Sequence, residues 1–166
     1  MVAFISRDRL LQLVDVQPDL GLIKWKKKRQ GVCVGTEAGS RTADGRHQIW
    51  LDRRNYLRYR IIWFYVHDVW PKTIDHINRN PGDDRISNLR EATTAQNMWN
   101  TGPTKCSSTG IKGVYRLKEK GLYLVQAKRF QRTIALGSFR DLEQAKAAYA
   151  RFAAKHDGEF FYHGTS

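Results

Sequence analysis

The chain has 166 residues, 41% of them hydrophobic, which is enough for one ordinary domain or two small ones. Its 29 Lys and Arg outnumber 16 Asp and Glu, a net charge of +13 that points to a polyanionic partner, nucleic acid before an anionic membrane surface. No run of about 18 apolar residues exists to cross a bilayer, Arg7 and Arg9 interrupt what a signal peptide would need to keep apolar, and two cysteines, Cys33 and Cys106, cannot close a four-thiolate zinc site.

In chain order, Ser6 to Val14 reads as a short helix capped by Ser6, with Leu10, Leu13 and Val14 on one side. Pro18 to Gly21 is a turn and Leu22 to Trp25 a strand. Lys26 to Arg29 is a basic run, as readily a solvated loop as a phosphate contact. After a second turn at Thr42 to Gly45, His47 to Leu51 and Tyr56 to Arg58 flank Asp52 to Asn55 as a hairpin would. From Tyr59 the apolar residues thicken, and Ile61, Ile62, Trp63, Tyr65 and Val66 suit a buried helix that ends before Pro71. Residues 74–100 read as strand, tight loop, strand and short helix, the helix holding Thr94, Asn97 and Trp99. Thr101 to Gly110, rich in Gly, Ser, Thr and Pro, reads as a linker.

Beyond it, Gly113 to Lys118, Leu122 to Phe130 and Thr133 to Leu136 are three short strands. Asp141 opens a helix with Gln144 three residues on, a capping-box pattern, and Gly158 sits at its expected end. Leu142, Ala145, Tyr149 and Phe152 recur at helical spacing, so this helix should pack on one face of the sheet. The other face is left free. Along the middle strand Tyr123, Val125 and Ala127 alternate with Leu124, Gln126 and Lys128, which puts the polar members on that free face. The fold class expected is α+β in two modules, residues 1–100 and 111–166. Residues 1–100 carry 17 basic and 11 acidic side chains; residues 101–166 carry 12 and 5, a denser excess on a shorter piece.

One segment could carry chemistry. Hydrolysing a phosphodiester needs an activated water, a cation on the charged phosphate, and neutralisation of the leaving oxygen. His76 is the one histidine of five with a carboxylate neighbour and a helix of amides close downstream. An imidazole, with an ordinary pKa of about 6.5, suits a general base near neutral pH. Asp75 and the Asn97 amide oxygen are hard ligands of the kind magnesium accepts. Asn88 is better placed to hold the loop, bridging backbone groups across the turn. His67, His156 and His163 read as surface residues, and His47, in the hairpin, could touch DNA.

Asp75-His76, Asn88 twelve residues after His76 and Asn97 nine further on resemble the ββα-metal motif of HNH endonucleases. The context, Trp70-Pro71, Ile74 to Asn78, Ile86 to Thr93 and Gln96-Asn97, is similar to the phage-type HNH homing endonucleases. The resemblance implies a ββα-metal core at about 72–100, with His76 as general base and Asp75 and Asn97 on a divalent metal, Mg2+ or Mn2+. Asn88 is then the motif's structural Asn. Tyr59 stands where many members place a His before Arg60, and Asp83-Asp84 put two acids in the loop. Neither departure is expected to touch the motif. Residues 108–162 are similar to the AP2 DNA-binding domain, through Gly110 to Tyr115, Tyr123 to Lys128, Leu136-Gly-Ser-Phe139 and the Ala-rich helix. That family lays its sheet in the DNA major groove, which implies DNA contacts from Tyr115, Gln126 and Lys128. Arg116, Lys118, Arg129 and Arg132 lie nearby and would serve phosphates.

The expected function is therefore a phage-encoded, metal-dependent endonuclease of homing type. It would cut double-stranded DNA in the host cytoplasm as a monomer or weak dimer, without a small-molecule cofactor or a membrane. The competing reading is a non-catalytic DNA-binding regulator that uses the AP2-like sheet and keeps the HNH fold as scaffold. An RNA partner is a weaker third reading.

Overall fold

The computed structural model describes residues 4–28, 31–130 and 132–160. Arg29 of the basic run, Gln131 between the second and third C-terminal strands, and His163 lie outside these residues. The chain forms two compact units, residues 1–92 and 93–166, and among the described residues four α-helices mix with small antiparallel sheets.

In the first unit, α1 (Arg7–Leu13) starts at Ser6, whose hydroxyl accepts the Arg9 amide at 3.3 Å. The chain then passes directly into β1 (Val14–Gln17), paired with β2 (Leu22–Trp25). Val14 therefore opens a strand and does not end a helix. A second sheet is ordered β3 (Ser40–Arg41), β4 (His47–Leu51), β5 (Arg54–Leu57). The β4–β5 turn is tighter than the sequence suggested. Asp52 and Arg53 both have positive φ, 43° and 63°, as a two-residue hairpin turn requires, and the strand resumes at Arg54. Gly39, at φ 101°, lies so close to β4 that a Cβ there would overlap the Gln48 carbonyl. Helix α2 (Arg58–His67) follows β5 with no connecting loop. Its Ile61 and Ile62 join Leu10, Val14, Ile23, Ile49 and Leu51 in a fully buried core. Arg58 begins the helix, where the sequence suggested a strand end, and it too is buried. The Trp70 ring stacks on Phe64 and Phe4, at centroid distances of 4.5 and 4.7 Å. Strands β6 (Ile74–His76) and β7 (Leu89–Glu91) form the third sheet.

The second unit begins ahead of the expected linker. Thr93 and Gln96 form a capping box at the start of α3 (Thr94–Asn100). At the other end the Lys112 ammonium donates to the carbonyls of Met98, Trp99 and Thr101 at 2.9, 2.7 and 2.8 Å. One cation thus satisfies carbonyls that a helix C-terminus leaves unpaired. This long-range cap groups α3 with the C-terminal strands. They are β8 (Val114–Leu117), β9 (Leu122–Arg129) and β10 (Arg132–Phe139), ordered β10-β9-β8. Strand β10 is longer than expected because a register shift between Ala135 and Gly137 lets Phe139 still pair with Tyr123. Helix α4 (Leu142–Asp157), capped by Asp141, packs Ala145, Tyr149 and Ala153 on Val114, Val125 and Ala127.

Arg129 corrects an expectation. It is buried, not at the surface to meet a phosphate, and its Nε donates to Asp157 Oδ1 at 2.7 Å while NH2 pairs with Oδ2. Its guanidinium also lies 5.3 Å from the Trp99 ring centre and 5.6 Å from that of Phe152. Strand parity explains this, since Arg129 shares the face of Val125 and Ala127. Removing one partner leaves a buried charge unpaired, so Asp157→Ala should cost about 3–5 kcal/mol in urea unfolding. A loss below roughly 1 kcal/mol, the range of exposed pairs, would show that the pair is not part of the core.

Candidate active site and nucleic-acid face

Strand β6 carries Asp75 and His76 side by side, and both are buried. Period-two alternation sends them to opposite faces of the hairpin. Asp75 stands across from Arg90, whose Nε and NH2 both donate to Asp75 Oδ2, at 2.9 and 2.7 Å. His76 stands across from Leu89.

The loop between these strands is tied together by Asn88. Its Oδ1 accepts the Asn78 amide at 2.9 Å, and its Nδ2 donates to Asn78 Oδ1 at 3.0 Å and to the Asp83 carbonyl at 2.8 Å. Its own carbonyl accepts the Ile77 amide at 2.9 Å. Asn78 Oδ1 in turn accepts the Asn80 amide, and Asn80 Oδ1 that of Gly82, at 2.8 and 3.1 Å. Such Asx turns satisfy backbone groups that no strand reaches. Arg85 grips Asp83 bidentately, at 2.8 and 2.7 Å. Those bonds hold the Asp83 carboxyl down at about 2, with burial opposing and the Asn78 amide assisting.

The other face of β6 holds a buried polar network. His76 Nε2 is 3.0 Å from Asp84 Oδ1, and Asp84 is 1% exposed. The second Asp84 oxygen accepts Arg58 Nε at 2.7 Å. Arg58 also reaches Glu37 through NH1, and through NH2 the Nδ1 of His47 at 2.8 Å and the Gly82 carbonyl at 3.4 Å. The edge of the Tyr59 ring faces the His76 ring, with centroids 5.1 Å apart. Two expectations change here. Asp84 and Tyr59, the departures from the family pattern, both touch the motif histidine. His47, which from its place in the hairpin could touch DNA, is largely covered and accepts from Arg58. Burial first, and then the Arg58 charge, lower its pKa below the ordinary 6.5 and keep it a neutral acceptor.

The resemblance implies a metal, and the donor chemistry fits a hard cation. Among the described residues no three His, Cys, Asp or Glu side chains gather as a protein-only metal cage would need. Asp75 supplies a buried carboxylate, a hard oxygen donor that Arg90 contacts at Oδ2. One carboxylate, an amide oxygen and waters suit magnesium better than zinc. The amide candidate, Asn97, is half-buried on α3, its backbone bonded to Thr93.

In the second unit, Tyr115 pairs across with Leu124, which puts it on the same face as Gln126 and Lys128. Thr133 and Ala135 complete that face, opposite Lys128 and Gln126. It is the face turned away from α4, and Tyr115 is 50% exposed there. Arg116 and Arg132 pair with Tyr123 and Arg129, on the helix side by parity, yet both are exposed at the sheet's margins. Lys118 is exposed in the turn after β8. Three of the seven expected DNA contacts thus share the free face, three rim the sheet, and Arg129 is internal.

Residues 56–99 match the family model of the HNH endonuclease. The matched span runs from the end of β5 through α3 and includes Arg58, Asp75, His76, Asp84, Asn88 and Asn97. Over 68 residues the chain is 35% identical to the protein of Escherichia phage T7 called Protein 3.8. That stretch is 40% of this chain and 56% of the relative, so the chain spans little more than half the length of the protein it matches. No solved structure matches the chain.

The Asp83 carboxyl lies below its ordinary 3.8. Its contribution to stability is therefore full above the usual carboxylate range and is lost as the pH falls through about 2. Asp83→Asn should flatten the acid limb of the unfolding curve in that window. An unchanged acid limb in the variant would mean that the Arg85 clamp does not hold the loop.

Proposed function

We propose that the protein is a metal-dependent endonuclease of homing type that hydrolyses phosphodiester bonds in duplex DNA. The observation that carries this reading is the buried Asp75-His76 step on a hairpin closed by Asn88, within the span that matches the HNH endonuclease family. His76 acts as general base, taking a proton from the attacking water. Asn88 keeps the loop in shape, so that strand and histidine hold their geometry without reorganising. Asp75 would hold the divalent cation, Mg2+ or Mn2+, and the family resemblance gives Asn97 the same role. When bound, that cation neutralises charge on the phosphate and on the departing oxygen. The 5′-phosphate and 3′-hydroxyl products are those that the family resemblance implies.

The second unit supplies the grip on DNA. Tyr115, Gln126 and Lys128 lie on the free face of the sheet, while Arg116, Lys118 and Arg132 offer phosphate contacts at its margins. The reading of this unit as AP2-like rests on its sequence pattern, and the shared face of these three side chains supports it. The alternative, a DNA-binding regulator without catalysis, predicts binding with no cleavage at any metal concentration.

Purified protein should cut plasmid in magnesium and stop when a chelator is added. His76→Ala should lower the cleavage rate by roughly a hundredfold or more, the usual range for removing a general base, and Asp75→Asn should abolish it, with DNA affinity little changed in both. A His76→Ala protein that cuts at the wild-type rate would remove the mechanism.

Replacing Gln126 and Lys128 together by Ala should weaken DNA binding several-fold and flatten its salt dependence, since a phosphate-directed cation releases counterions. Unaltered affinity and salt slope in gel-shift titrations would move the DNA face elsewhere.

A further inference from the structure

We infer that Asp84 is a positioning residue that fixes His76 with its proton on Nε2, with Arg58 as the buried counter-charge that makes Asp84 an obligate acceptor. This rests on the reading of His76 as the general base and adds which ring nitrogen does the work.

Asp84 Oδ2 accepts from Arg58 Nε at 2.7 Å, and the guanidinium is itself buried and shared with Glu37 and His47. A guanidinium carries donors only, and an ionised carboxylate offers acceptors only. The nitrogen facing Asp84 Oδ1 at 3.0 Å is Nε2 of His76, so Nε2 carries the hydrogen in that bond. In a neutral imidazole the lone pair is then on Nδ1. In the cleavage step a water proton passes to Nδ1, the oxygen it leaves forms the new bond to phosphorus, and the 3′ oxygen departs with the electrons of the broken bond and takes a proton from a solvent water. Nε2 keeps its own hydrogen. The imidazolium that results is held beside the Asp84 carboxylate, and Asp84 gains no proton at any point.

The packing makes this orientation rigid. The Tyr59 ring edge abuts the His76 ring, and Asp84 hangs in a loop whose turns are fixed by Asn78, Asn80 and Asn88. Arg58 occupies the first turn of α2, directly after β5. The tautomer of a histidine on one strand is therefore set by a residue at the start of a helix on the far side of the loop.

An Asn at 84 tests this without altering shape. Its oxygen would be taken by Arg58, which can only donate, and its amino group would then face Nε2. A donor at that place asks Nε2 for a lone pair, so the hydrogen moves to Nδ1 and the base is blocked. Long-range 1H–15N correlation spectra of the full chain, labelled at histidine and recorded at mildly alkaline pH, read the tautomer directly. The wild type is expected to show a protonated Nε2 at His76, and Asp84→Asn the reverse pattern. The variant's kcat on plasmid should fall roughly a hundredfold or more, while KM for DNA and the near-ultraviolet circular dichroism stay at wild-type values. A wild-type His76 protonated on Nδ1, or an Asp84→Asn protein with unchanged kcat and tautomer, would overturn the inference. If the variant does not fold, the wild-type spectrum alone decides. The two readings fail separately. A nuclease whose His76 carries its hydrogen on Nδ1 loses only the role of Asp84, whereas normal cutting by His76→Ala removes the general base and leaves the tautomer standing.

Discussion

The first unit is organised around one buried cation. Arg58 enters α2 with a side chain that cannot lose its charge and has no water to solvate it. Such a group is tolerated only where acceptors surround it. Four residues answer that demand: Glu37 ahead of β3, His47 on β4, and Gly82 and Asp84 in the loop between β6 and β7. The loop that follows the motif histidine is therefore drawn back onto the N-terminal sheet, and its last acid is brought against His76. The apolar core of Ile49, Leu51, Ile61 and Ile62 supplies bulk stability but no direction. The guanidinium supplies direction.

The two sides of the β6–β7 hairpin are handled differently, and the difference suits their chemistry. On the Asp75 side the Arg90 guanidinium donates to Oδ2 through both Nε and NH2. On the His76 side the ring is clasped by a carboxylate and an aromatic edge. Under the proposed mechanism Asp75 would serve a hydrated cation and His76 would act as the base, and a base gains from a fixed ring. Beyond these, Asn88 and the Asx turns absorb the backbone polar groups of a loop too short for regular pairing.

The second unit uses its cations in two ways. Lys112 and Arg129 are structural, one closing the end of α3 and the other pairing with Asp157 under the sheet. Lys118, Lys128, Arg116 and Arg132 remain in contact with solvent. A basic composition thus overstates the charge offered to a polyanion, because part of it is consumed inside the fold.

Much of this was legible from the chain alone. Local signals placed the strands Leu22–Trp25 and His47–Leu51, the Asp141-capped helix and the three C-terminal strands, because alternation and caps are set by near neighbours. The spacing of Asp75, His76, Asn88 and Asn97 named the motif, and the loop-bridging task of Asn88 followed from what an amide can donate and accept. Parity along β9 also held the fate of Arg129, since it falls in step with Val125 and Ala127. What the sequence by itself could not decide are the interactions between residues far apart in it. Arg58 meets Asp84 across 26 positions, and Arg129 meets Asp157 across 28. Lys112 reaches back across 13 positions to the Trp99 carbonyl at the end of α3. Buried charges choose their partners only when the chain has folded and water has gone. Tertiary structure alone therefore decided which acids and bases are surface and which hold the site.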